Sequence, residues 1–124
     1  MVSSFFHAFR GIRFALMSQR NMRIHCFAGF VAVCFAVFFK FSILEWLALL
    51  LTITLVLVAE FFNTAIEITI DLVTKKRKYR AMLSKDIAAG GVLVASVNAL
   101  IVGYLLFYSR FVNLIHHFYT LGGQ

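Results

Sequence analysis

Glu60, Asn63, Glu67 and Asp71 are the residues whose types and spacing best suit chemistry. At about 100° per helical residue they fall within an arc of roughly 80° on one face. Three of the chain's five acidic residues therefore share a stripe at the end of an apolar segment. Carboxylates there are costly unless they meet a cation. Glu67 with a second oxygen ligand suits Mg²⁺, which takes few protein carboxylates and completes its shell from substrate phosphates and water. Glu60, one to two turns away and the most membrane-embedded of the three acids, is placed to act as general base toward a hydroxyl presented from the lipid phase. Nearby Arg and Lys side chains would neutralise phosphate charge. Together these parts compose a phosphoryl-transfer site at a membrane surface. The chain has neither a G-x-x-x-x-G-K-[ST] loop nor the soluble-kinase signature set, so a nucleotide would be held in another way. On spacing alone, a polar seam that holds helices together remains the alternative.

The elements that must position this stripe are membrane helices. The 124 residues are 62% hydrophobic and include no proline, and the mean hydropathy of +0.91 is far above that of a soluble domain. Three stretches reach the span of about 20 apolar residues a bilayer requires. They are 22–39, 43–62 and 87–108, within a single domain over 1–124, with 63–86 forming a helical extension and loop on the cytoplasmic side. Residues 1–21 precede them as a surface helix, in which Phe5, Phe9, Ile12 and Leu16 share a face and Arg10, Arg13 and Arg20 lie to one side of it. Those arginines interrupt any long apolar core, so the segment does not read as a cleaved signal peptide. The expected fold is thus an all-α membrane protein with an N-terminal amphipathic surface helix and three transmembrane helices.

The net charge of +7 follows topology and does not point to nucleic acid. Ten basic residues lie before the first span or between the second and third, and only Lys40 and Arg110 fall on the other side. The positive-inside rule then places the N-terminus and the basic loop in the cytoplasm and the C-terminus outside. A basic loop beside a membrane reads anionic headgroups or simply fixes orientation. Cys26 and Cys34, eight residues apart on one helix, are about 12 Å apart along its axis, too far for a disulfide between them.

Three polar groups are expected at one membrane face: Gln19 to His25, Glu60 to Asp71, and Lys85 with Asp86 at the start of the third span. Glu45 and Trp46 fall at the opposite interface, where a solvated acid and an aromatic anchor need no special role. Gly90, Gly91, Ala95, Ser96, Ala99 and Gly103 give the third span a small-residue surface for close packing. Asn98, mid-span, reads as an interhelical hydrogen bond.

The pattern Glu60-x-x-Asn63-Thr64-Ala65-Ile66-Glu67-x-x-x-Asp71, followed by Lys85-Asp86-x-Ala88-Ala89-Gly90, resembles the small bacterial diacylglycerol kinase and undecaprenol kinase family over nearly the whole chain. Arg20-Asn21-Met22-Arg23-Ile24-His25, Leu44-Glu45-Trp46-Leu47 and Asn63-Thr64 are closer to the undecaprenol kinase branch. The resemblance implies a homotrimer in the cytoplasmic membrane with active sites composed between protomers. It also implies ATP, Mg²⁺ and a lipid alcohol, undecaprenol or diacylglycerol. Through it Glu60 matches the base and Glu67 a metal-binding carboxylate that also serves ATP. Asn63 matches a residue positioning the site, Asp71, Lys85 and Asp86 match nucleotide-contacting positions, and Arg13 and Arg23 fall in segments used around substrate.

Two positions depart from that pattern. Gln19 stands where the family has a second metal-binding Glu that also serves ATP; an amide oxygen still coordinates Mg²⁺ but adds no negative charge. Arg77-Lys78 stand in place of a Tyr-His pair. Two readings of other classes stay open: a catalytically silent membrane protein with Gln19 as the lesion, and a small transporter, since acids in spans also mark transport pathways.

Overall fold

The computed structural model describes residues 2–122, and those residues form four helices: α1 (Val2–Ser18), α2 (Arg20–Phe38), α3 (Ile43–Val73) and α4 (Tyr79–Gly122). No strand occurs among the described residues. Three of the helices, α2, α3 and α4, are long and apolar enough to cross a membrane. Absence of proline lets each run until a local signal stops it.

The break between α1 and α2 is a single extended residue, Gln19, with φ −102° and ψ 117°. Helix α1 packs on the start of α2 through Ala15, which is 2% exposed, while Phe5, Phe9 and Ile12 are left uncovered by the chain. An uncovered aromatic face beside arginines is the pattern of a helix lying on a bilayer.

Helix α2 ends in a Schellman motif. Phe41 N donates to Ala36 O and Lys40 N to Val37 O, both at 3.1 Å, and Lys40 takes the left-handed conformation with φ 52°. Glycine is usual there; lysine adopts it at a conformational cost. Ser42 then caps α3 through a full capping box: Ser42 N donates to Glu45 Oε2 at 2.8 Å and Glu45 N to Ser42 Oγ at 3.4 Å. These signals make α2 and α3 an antiparallel hairpin.

Helix α3 runs 31 residues, about 46 Å, and so carries the acid stripe beyond its apolar part. Only residues 74–78 separate it from α4, which returns along α3. The helix begins at Tyr79 and extends to Gly122, beyond the expected 87–108 at both ends. Residues 79–86 are mostly good helix formers with no breaker, so Lys85 and Asp86 sit in the second turn of the helix and not at its start. His116 and His117 lie within the C-terminal extension of this helix.

The core lies toward the end of the bundle that carries the α2–α3 turn. Buried Ala36, Phe41 and Leu49 pack with Phe39, Trp46, Ile53, Leu106 and Phe107, and Phe35, Phe39 and Phe111 join in edge-on aromatic pairs. We call this the aromatic end. The other, carrying Arg20, Arg23 and the 74–78 loop, is the basic end. Gly29 lets α2 pack tightly on α3: a Cβ there would lie 3.1 Å from Ile53 Cγ2.

Candidate active site

The stripe predicted from spacing forms on one face of α3 at the basic end, and its members differ sharply in environment. Glu60 is 2% exposed and Thr64, one turn on, is 5% exposed. Asn63 and Glu67 are half-buried and Asp71 is exposed. The face therefore grades from an apolar interior to solvent over eleven residues, about 16 Å.

Asn63 Nδ2 donates to Glu67 Oε1 at 3.0 Å, which orients the Glu67 carboxylate and leaves the Asn63 carbonyl oxygen free of that bond. Three buried oxygens in this neighbourhood have no hydrogen-bond partner among the described residues: Glu60 Oε1, Asn63 Oδ1 and Thr64 Oγ1. Buried polar atoms are rarely left so, and such a group calls for an explanation such as a missing ion or ligand. Oxygens lacking donors suit a cation or a hydroxyl. No cluster of three or more His, Cys, Asp or Glu side chains suited to a metal occurs among the described residues. The donor set thus fits an ion like Mg²⁺, which needs only one or two protein carboxylates and takes phosphate oxygens for the rest, and does not fit an all-protein cage.

His25 supplies a residue that spacing did not single out. Its Nε2 lies 3.4 Å from Glu60 Oε1, with the Glu60 side chain 3% exposed and His25 24%. The two are not aligned as a hydrogen bond. The signal in the sequence was an ionisable ring in the first turns of an apolar helix; what it faced depended on how α2 rotates against α3.

Farther along the stripe, Lys85 Nζ donates to Asp71 Oδ1 at 2.6 Å, joining α4 to α3. Thr74, Lys75, Lys76 and Arg77 fold against this pair and line a small concavity of about 110 Å³ with it. The basic loop thus meets the end of the acid stripe. Asp86, adjacent to Lys85, is exposed.

The remaining positions are less closely tied to the stripe. Gln19 is half-buried at the helix break, and its side chain makes no capping hydrogen bond to α2. Arg13 lies on α1 in a shallow depression with Arg10, Phe14 and Met17, and Arg23 is exposed in the first turn of α2. Neither arginine joins an ion pair among the described residues.

Two expectations away from the stripe are corrected. Glu45 is not merely solvated: Arg110 Nη2 donates to its Oε1 at 2.7 Å, while Arg110 stacks over Phe41 at 4.6 Å. Asn98 makes no interhelical hydrogen bond among the described residues and is exposed, because Ala95 and Ala99 turn inward and Asn98 lies roughly 100° away from Ala99. Cys26 and Cys34 are both free.

A bundle of membrane-crossing helices with acids, amides and cations gathered at one end defines a small membrane enzyme that works at a bilayer surface. The chain belongs to the prokaryotic diacylglycerol kinase family, which it matches over residues 6–107, and is a lipid kinase. It is 39% identical over 104 residues to the undecaprenol kinase of Bacillus subtilis, covering 84% of this chain and 85% of that one. It is 35% identical over 116 residues to a diacylglycerol kinase of Synechocystis, covering 93% of this chain and 66% of that one. With the diacylglycerol kinase of Escherichia coli K12 it shares 26% identity over 105 residues, 85% of this chain and 86% of the relative. A divalent metal cofactor goes with membership of such a kinase family.

Proposed function

We propose that the protein transfers the γ-phosphoryl group of ATP to a membrane lipid alcohol, with undecaprenol as the preferred acceptor. The observation that carries this reading is Glu60: a carboxylate 2% exposed within an apolar helix, with one oxygen lacking any donor. A carboxylate kept in that state is a base waiting for an O–H. Glu60 accepts the acceptor's hydroxyl proton as the new O–P bond forms and ADP leaves.

Glu67, oriented by Asn63, and the amide oxygen of Gln19 would hold Mg²⁺. When bound, that ion neutralises phosphate charge and aligns ATP. The Asp71–Lys85 pair, with Asp86 and the loop cations Lys75 to Arg77, takes the nucleotide, Lys85 and the loop giving positive charge for its phosphates. Arg13 and Arg23 attract anionic headgroups and phosphates at the same surface. The ten-to-two distribution of basic residues supports a cytoplasmic location for this end, where ATP is available. A homotrimer would complete each site from neighbouring protomers.

Identity of 39% to an undecaprenol kinase supports the acceptor, and 35% to a diacylglycerol kinase keeps diacylglycerol as the second reading. Radiolabelled ATP with undecaprenol and dioleoylglycerol, each in mixed micelles with Mg²⁺, separates them. Faster labelling of dioleoylglycerol reverses the order. No labelling by either the natural chain or Gln19→Glu means the fold has been kept without the activity, while strong gain in Gln19→Glu identifies Gln19 as a weakened metal ligand.

A further inference from the structure

Two observations meet at His25. The first is a half-open groove of about 290 Å³ between α2, α3 and α4. Its walls are mostly small or aliphatic, with Gly29 and Ala32 from α2, Val56 from α3, and Ala99 and Gly103 from α4, joined by Ser96 and Phe107. Of the side chains that line it, His25 is the only ionisable one. Thr52 also lines it, but its hydroxyl donates to Ala48 O at 2.7 Å. The second observation is that Glu60 does not line the groove; it lies beyond His25, with Oε1 unpartnered and Nε2 of His25 3.4 Å away. His25 thus both lines the groove and lies against Glu60.

An alcohol answers both side chains at once. Its O–H donates to the unpartnered Glu60 oxygen, and its oxygen accepts from an N–H at Nε2 of His25. We propose that His25 is the positioning residue for the acceptor: the hydrocarbon of the lipid alcohol lies in the groove, and its hydroxyl is held between the imidazole and the Glu60 carboxylate. The proposal rests on the kinase reading with Glu60 as base. During transfer the O–H bond breaks toward Glu60, the oxygen forms its bond to phosphorus, and ADP departs with the electrons of the broken P–O bond. His25 keeps its proton and fixes the direction from which the oxygen attacks. The small-residue surface of α4, read from sequence as packing, then has a second use: it leaves room for a chain beside the helix.

The test uses the full chain in mixed micelles with ATP, Mg²⁺ and whichever of undecaprenol or dioleoylglycerol the natural protein phosphorylates faster. His25→Ala is expected to raise KM for the lipid roughly 5- to 20-fold, the loss of one hydrogen bond to a positioned group, and to leave KM for ATP unchanged. His25→Gln, which restores an N–H donor, recovers most of the difference. Ala99→Phe, which fills the groove, raises KM for the long-chain lipid but not for a short-chain alcohol. Melting curves of each variant show whether a change comes from loss of fold, and the Ala99→Phe comparison stands independently of His25→Ala. Equal effects of His25→Ala on both substrates, absence of rescue by Gln, or an unchanged lipid KM overturns the assignment while the kinase reading stands. If the natural chain labels no lipid alcohol, both fall together.

Discussion

The two ends of the bundle treat their acidic residues in opposite ways. At the aromatic end Glu45 is bonded on both oxygens, to Arg110 at 2.7 Å and to the Ser42 backbone at 2.8 Å, and Arg110 also rests on Phe41. At the basic end Glu60 is more deeply buried yet has an oxygen with no donor, and Asn63 and Thr64 share its condition. Satisfied polar groups fix structure, whereas unsatisfied ones store a demand that a substrate can meet. The aromatic core and the helix caps gather at one end, and the unsatisfied oxygens at the end proposed to react. On the proposed function, activity and stability are therefore separable along the helix axis.

That separation can be broken or sharpened by substitutions at each end. The largest effect is expected from Glu60→Gln, which removes a base but little volume: transfer should fall by about 10²- to 10⁴-fold. ATP binding should persist, and the melting midpoint should not drop, because an unpartnered buried carboxylate is itself unfavourable. A lower midpoint with retained turnover would make Glu60 structural and erase the contrast. Glu67→Gln comes next and should raise the Mg²⁺ concentration for half activity by more than about tenfold, since a lost ligand costs at least as much as a lost outer-shell partner. An unchanged metal titration would remove Glu67 from the ion.

Substitutions at the aromatic end should show the reverse pattern. Arg110→Met separates α4 from Glu45 and Phe41, and should lower the melting midpoint in micelles while leaving KM for ATP and lipid in place. A change in either KM would show that the two ends communicate. Smallest is Lys40→Gly, which relieves the left-handed backbone of the Schellman motif and should stabilise by roughly 0.5–1 kcal/mol, measured by denaturation of the detergent-solubilised protein. No gain would mean that the lysine side chain compensates for its backbone.

The acid stripe was legible because a run of 31 helical residues turns spacing into geometry: Glu60, Asn63, Glu67 and Asp71 share a face however the rest folds. The three membrane helices were legible for the same one-dimensional reason. His25 was not, because which side chain of α3 it meets is set by the rotation and approach of α2, fixed in part at Gly29 against Ile53. Asn98 misled in the opposite sense. A mid-span amide calls for a partner, but a displacement of one residue from Ala99 turns it away from this chain's other helices. Glu45 looked like an ordinary interfacial acid until α4 continued past its expected end and brought Arg110 to it across 65 residues of sequence.

The pairs Asp71–Lys85 and Glu45–Arg110 also pin α4 to α3 at two heights. Lys85 and Arg110 are 25 residues apart in one helix, about 38 Å, while a typical hydrocarbon layer is about 30 Å thick. Both charged pairs therefore fall in the headgroup layers, one at each face, which bring a bilayer to about 40–45 Å in all. A thicker host bilayer would draw these charged anchors toward its hydrocarbon, so turnover is expected to fall as the acyl-chain length of the host vesicle is raised.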